Sequence, residues 1–104
     1  MAMSGCAGGE PFALRVLGNS MIPEFEHGTV IIVEPAGVLE SGCYVVAQHD
    51  NEYLFRQLII DDHRWLLKPL NRQYPTIEIT GLKDIKGRVV QKAGRNRKER
   101  KHYL

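Results

Sequence analysis

Apolar residues in this chain come in short runs, and turn-forming pairs end each run before it reaches helical length. The breaks fall at His27-Gly28, Ala36-Gly37, Ser41-Gly42, Asp50-Asn51 and Asp61-Asp62. Between them the spacing predicts strands near Phe12 to Leu17, Thr29 to Glu34, Cys43 to His49, Glu52 to Ile60, Arg64 to Lys68, Thr76 to Ile79 and Ile85 to Gln91. Asp50-Asn51 is the strongest local signal, because both residues tolerate positive φ and lie between two runs rich in Val, Tyr, Leu and Phe. A tight hairpin is expected there, with Arg56 on its second strand. Gly18 to Phe25 cannot continue a strand, since Pro23 has no amide donor and Gly18 weakens pairing, so one short helical turn is expected. No segment has the periodicity of a three-turn amphipathic helix, and there is no internal repeat. The fold class that follows is all-β.

With 104 residues, 43% of them hydrophobic, the chain can bury one modest core. The expected organisation is a flexible leader over 1–11, a domain over 12–91 and a basic tail over 92–104. No apolar run approaches the roughly 18 residues of a membrane span, and Met1 to Glu10 lacks the basic start and apolar stretch of a secretory signal. Cys6 and Cys43 are too few for a disulfide framework, so reduced thiols and a cytoplasmic location are expected. Neither cysteine pairs with a histidine at metal-ligand spacing, and no metal or cofactor is expected.

Charge is unevenly distributed. Gln91 to Leu104 holds six of the 14 Lys/Arg and one of the 12 Asp/Glu, which leaves the rest with eight cations against eleven anions. Lys92, Arg95, Arg97, Lys98, Arg100 and Lys101 could meet nucleic-acid phosphates through counterion release. The alternative is a solvated end, since no aromatic residues interleave these charges for base stacking.

Ser20 follows a predicted strand at the start of a turn. Such a hydroxyl projects, and the backbone amides of Ser20 and Met21 are candidates for binding an oxyanion. A serine at that position also serves as a helix cap. The wider context bears on the choice. Val16-Leu-Gly-Asn-Ser-Met-Ile-Pro-Glu-Phe-Glu-His-Gly-Thr-Val-Ile-Ile-Val33 resembles the nucleophile segment of LexA-like repressors and bacterial signal peptidases: Gly-x-Ser-Met, a Pro, then a turn into an apolar strand. Gly42-Cys-Tyr-Val-Val-Ala47, Glu52-Tyr-Leu-Phe-Arg-Gln-Leu58, Leu66-Leu-Lys-Pro-Leu-Asn-Arg-Gln-Tyr-Pro75 and Ile85-Lys-Gly-Arg-Val-Val90 resemble that family's later segments in the same order. The resemblance implies a LexA/signal-peptidase-like β-ribbon fold, a small partly closed barrel of about seven short strands. It also implies a Ser-Lys dyad, in which a neutral lysine takes the serine proton.

At the position that matches the catalytic lysine stands Arg56. A guanidinium offers donors only and stays protonated, so it can orient Ser20 or stabilise negative charge but cannot act as a general base. Tyr53 to Ile60 contains no lysine, and Lys68 matches a different family segment and is expected to be an exposed strand residue. His27, His49, His63 and His102 are not matched to Ser20, and Glu24, Glu26 and Glu34 read as surface charges. Cys6-Ala-Gly-Gly9 resembles the bond that self-cleaving members cut, which makes Ala7-Gly8 a possible cleavage site; a flexible Gly-rich leader is the alternative.

Three functions remain open: a serine endopeptidase acting on a peptide or protein segment; a non-catalytic regulatory module that homodimerises, through strands near Ile85 to Gln91; and nucleic-acid binding through the tail. No helix-turn-helix pattern precedes the domain within the chain, so a complete repressor of the usual kind is not expected.

Overall fold

Asp50 and Asn51 adopt φ of 52° and 67°, the consecutive left-handed pair that a two-residue hairpin requires. They join β3 (Tyr44–His49) to β4 (Glu52–Asp61) in antiparallel register, from His49 opposite Glu52 to Tyr44 opposite Gln57. Asp62, with φ 59°, makes the next turn, into β5 (Arg64–Lys68). The remaining strands are β1 (Phe12–Arg15), β2 (Val30–Glu34), β6 (Ile77–Ile79), β7 (Ile85–Ala93) and β8 (Lys101–His102), with one 3₁₀ turn at Leu82–Asp84. This is a computed structural model, and it describes residues 10–35, 38–93 and 101–103. Among the described residues there is no α-helix, and no helix is long and apolar enough to cross a membrane.

All eight strands belong to one antiparallel sheet in the order β1-β2-β7-β3-β4-β5-β6, with β8 added on β7. The sheet is open, since its terminal strands β1 and β6 each have a single partner. β7 is its spine. One edge pairs with β2 over Arg88 to Ala93, while the other pairs with β3 over Ile85 to Arg88 and with β8 at Gln91 and Lys92. The last long strand in the sequence is therefore central in space, and both its backbone edges are occupied within the chain. The basic segment also contributes to the sheet, through Lys92, Lys101 and His102, while 94–100 lie outside the described residues.

Side-chain alternation on β3 separates two cores. Val46 joins Val16, Met21, Phe25, Ile31, Val33 and Val89 on one side, while Val45 and Ala47 join Cys43, Leu58, Leu67 and Ile79 on the other. The first core anchors the loop after β1, because Met21 and Phe25 are fully buried within it. Lys68, as expected, is exposed on its strand.

Gly87 is buried in β7 where β2 comes close. A Cβ there would lie 2.5 Å from Val33 Cγ1 and 3.0 Å from the Glu34 carbonyl oxygen, so neither side chain nor backbone leaves room for a methyl group. Gly87→Ala is expected to destabilise the fold by about 1–3 kcal/mol through overpacking. Urea unfolding of the two proteins checks this, and an unchanged midpoint would contradict the close approach.

Candidate functional site

The loop from Leu17 to Phe25 is held at several points. Val16 N donates to Thr29 O and Gly28 N to Val16 O, both at 2.8 Å, closing the base of the loop. Gly18 N donates to His27 Nδ1 at 2.8 Å, which makes His27 a brace for the loop. Phe25 N reaches back to Met21 O at 2.9 Å, completing the short helical turn expected here. The segment after β5 adds a further tie: Asn71 N donates to Ser20 O and Asn71 Nδ2 to Asn19 O, each at 2.9 Å. Ser20 therefore sits on a fixed backbone.

β4 delivers Arg56 to the same place. Both residues are buried, and Arg56 Nη1 donates to Ser20 Oγ at 2.9 Å and to its neighbour's carbonyl, Phe55 O, at 2.8 Å. Those two bonds use both Nη1 hydrogens. The Tyr74 ring covers the guanidinium, with 5.9 Å from Cζ to the ring centroid. Burial lowers the Arg56 pKa, but a guanidinium starts so high that it remains a cation at neutral pH. Among the described residues no carboxylate pairs with it, and Nε is buried without a hydrogen-bond partner. The site thus holds a serine hydroxyl against a permanent positive charge, and the hydroxyl donates to no described residue.

The chain matches the family model described as Peptidase S24-like over residues 3–90. It belongs to the Peptidase S24-like family. Relatives of this S24 domain include the HTH-type transcriptional regulator for conjugative element SXT of Vibrio cholerae, 46% identical over 86% of this chain and 43% of that protein. Repressor protein C2 of Salmonella phage P22 is 43% identical over 78% of this chain and 40% of its own length. The LexA repressor of Magnetococcus marinus is 37% identical over 80% of this chain and 36% of its own. The S24 chain spans less than half the length of these relatives.

The other sequence candidates fall in different places. His49 lies beside Asp50 at 3.5 Å and His63 beside Asp62 at 3.9 Å, both at turns, and His102 is exposed on β8. The backbone amides of Ser20 and Met21 donate to no described residue. Ala7 and Gly8, and the basic candidates Arg95, Arg97, Lys98 and Arg100, lie outside the described residues. Among the described residues no three His, Cys, Asp or Glu side chains converge as metal ligands.

An apolar groove of about 1010 Å³ leads to Ser20 and Arg56. Phe12 and Leu14 of β1, Leu17, Tyr53, Phe55 and Tyr74 contribute to its walls. Phe12, Leu14, Leu17, Tyr53 and Tyr74 are all exposed, and among the described residues one edge of β1 has no partner strand. A strand edge beside apolar side chains suits an extended peptide, which can add to the sheet through its backbone.

The back of the nucleophile loop carries a feature that sequence reasoning missed. Glu24, expected to be a surface charge, accepts hydrogen bonds from Tyr103 Oη at 2.5 Å and Lys101 Nζ at 2.9 Å, and lies 3.3 Å from Lys92 Nζ. Lys92 also donates to the Glu24 carbonyl oxygen. Two of the six basic candidates thereby share one carboxylate within the domain. Phe25, next in the chain, packs edge-on against Tyr44 and Phe55, and Tyr103 lies 5.3 Å from it. Burial raises the Glu24 pKa, but the hydrogen bonds from Tyr103, Lys101 and Lys92 outweigh that effect and bring it from 4.5 to about 2.

A carboxylate whose pKa is lower in the folded state contributes stability above its unfolded pKa and loses it as the pH falls towards the folded value. Glu24→Gln is expected to lower stability at neutral pH by roughly 1–2 kcal/mol, less than the displacement alone implies because the side chain is partly solvated. The wild type should lose this contribution between pH 4.5 and about 2, a step the variant should lack. Urea titrations across that range would show it, and superimposable pH profiles would rule out this contribution of Glu24.

Proposed function

We propose that this S24 domain is a regulatory module that binds an extended peptide segment in its groove and hydrolyses it weakly or not at all. The observation that carries the reading is the buried hydrogen bond from Arg56 Nη1 to Ser20 Oγ at 2.9 Å. Serine attack requires a group that accepts the hydroxyl proton as the new bond forms. Removing a proton from an ordinary guanidinium at neutral pH costs about 7–9 kcal/mol before any chemistry begins. The bond's polarity also works against attack, because a cation donating to Oγ draws electron density from the nucleophile. The loop, groove and charge are assembled; the base is missing.

A regulatory setting is supported by the relatives, which are repressors and transcriptional regulators by name. A cytoplasmic location and self-association belong to the same proposal, the latter through a surface other than the β7 edges. Nucleic-acid binding by the basic segment has less support, since Glu24 engages Lys92 and Lys101.

Restoring a removable proton tests the reading. Wild-type protein incubated with a fluorophosphonate serine probe is expected to keep its intact mass. Arg56→Lys is expected to gain one adduct at Ser20, at a rate that rises about tenfold per pH unit until the amine is neutral. Wild-type labelling as fast as that of Arg56→Lys, and abolished by Ser20→Ala, would overturn the proposal.

A further inference from the structure

The loop that carries Ser20 is held from two sides, and the two holds differ in kind. On one side Asn71 N and Nδ2 donate to the backbone carbonyls of Ser20 and Asn19, each at 2.9 Å. On the other, Glu24 and Phe25 of the same turn are gripped by a segment from the far end of the described chain. Tyr103 makes three kinds of contact there. Its amide donates to Val90 O at 2.8 Å, its ring lies 5.3 Å from both Phe25 and Tyr44, and its hydroxyl donates to Glu24 Oε2 at 2.5 Å. Burial and the Glu24 carboxylate push the Tyr103 phenol well above its usual pKa, so it stays a donor at every physiological pH. Lys101 reaches the same carboxylate, but its side chain is about half exposed and solvent weakens its pull. β8 pairs with β7 at only two positions, so side-chain contacts carry most of the segment's attachment.

We propose that Tyr103 is a positioning residue for Ser20, and that Lys101 to Tyr103 form a strap whose release slackens the Ser20–Arg56 contact from behind the groove. Phe25 N closes the turn on Met21 O, and Met21 follows Ser20 directly, so a shift of Phe25 reaches Ser20 through one turn of backbone. With Tyr103 withdrawn, Phe25 keeps Tyr44 and Phe55 but loses a ring from its packing. Glu24 keeps Lys92, which also donates to the Glu24 carbonyl oxygen, so the loop loosens without leaving the sheet. Tyr103 packs against the first core and not the second, which confines the effect to the side of the molecule that holds the loop. Loop placement of this kind holds whether or not Ser20 attacks a peptide. It also gives the site a control point outside the groove, since whatever draws the strap away acts on Ser20 without competing for the peptide's place.

Nitrogen-15 relaxation of the full chain tests this in the folded state, where a change in overall stability does not register. Three groups report on the site: the Ser20 amide, the Asn71 amide that donates to Ser20 O, and the buried Arg56 Nε–H. The Leu58 amide, which donates to Cys43 O beside the second core, is the control. In the wild type all four are expected near the order parameter of about 0.85 of rigid backbone. Tyr103→Ala is expected to lower the Ser20, Asn71 and Arg56 values towards about 0.6, or to bring on slow exchange broadening there, with Leu58 unchanged. Tyr103→Phe, which keeps the ring and loses the donor, is expected to fall between the two. Wild-type order at Ser20 and Arg56 in Tyr103→Ala would overturn the proposal, because the strap would then brace only its own neighbours. An equal loss at Leu58 would overturn it too, since the whole fold and not the loop would have loosened. Thermal melts establish that each variant is folded. Where Tyr103→Ala is not, Tyr103→Phe decides alone, and unchanged Ser20 and Arg56 signals in it would refute the positioning role.

Discussion

The hydrogen bond between Arg56 and Ser20 joins groups 36 positions apart and holds a positive charge in a buried setting with no acid paired to it among the described residues. An unpaired buried charge costs several kcal/mol relative to water, so the surrounding structure has to hold it in place. Three elements do so. β4 is locked between β3 and β5, the nucleophile loop is anchored by Met21 and Phe25, and the Tyr74 ring lies over the guanidinium. Asn71 ties the Tyr74 segment to the serine loop, so the three are joined in one unit.

Glu24 extends that unit to the end of the described chain. Its carboxylate gathers Lys92 from the central strand together with Lys101 and Tyr103 from the last one, while Phe25 inserts among Tyr44, Phe55 and Tyr103. Ser20 is thus flanked by two restraints, Asn71 in front and the Glu24 cluster behind. The short strand β8 adds only two residues to the sheet, yet the segment it begins packs against the back of the site.

Much of the architecture was legible because local chemistry dictated it. Asp50-Asn51 could form only a tight turn, and the Arg64 to Lys68 strand lies between two clear breaks, so both are where the sequence predicts them. What escaped notice depends on distance along the chain. Glu24 meets partners 68 to 79 positions away, and no periodicity connects them. β8 is two residues long and polar, below the length at which a strand pattern can be seen. The lateral place of Ile85 to Gln91 was hidden for a related reason: sequence order says nothing about lateral order, and a strand near the chain's end lies at the sheet's centre. The pairing of Ser20 with Arg56 was accessible only through family resemblance, since neither residue alone is distinctive.

The difference between lysine and arginine at this position is therefore more than the loss of a base. A neutral lysine beside Ser20 could take a proton during attack, and it would hold a carboxylate product only as strongly as its own protonation allowed. A guanidinium cannot change state, so it keeps a positive charge and a donated hydrogen bond on the serine oxygen at every physiological pH.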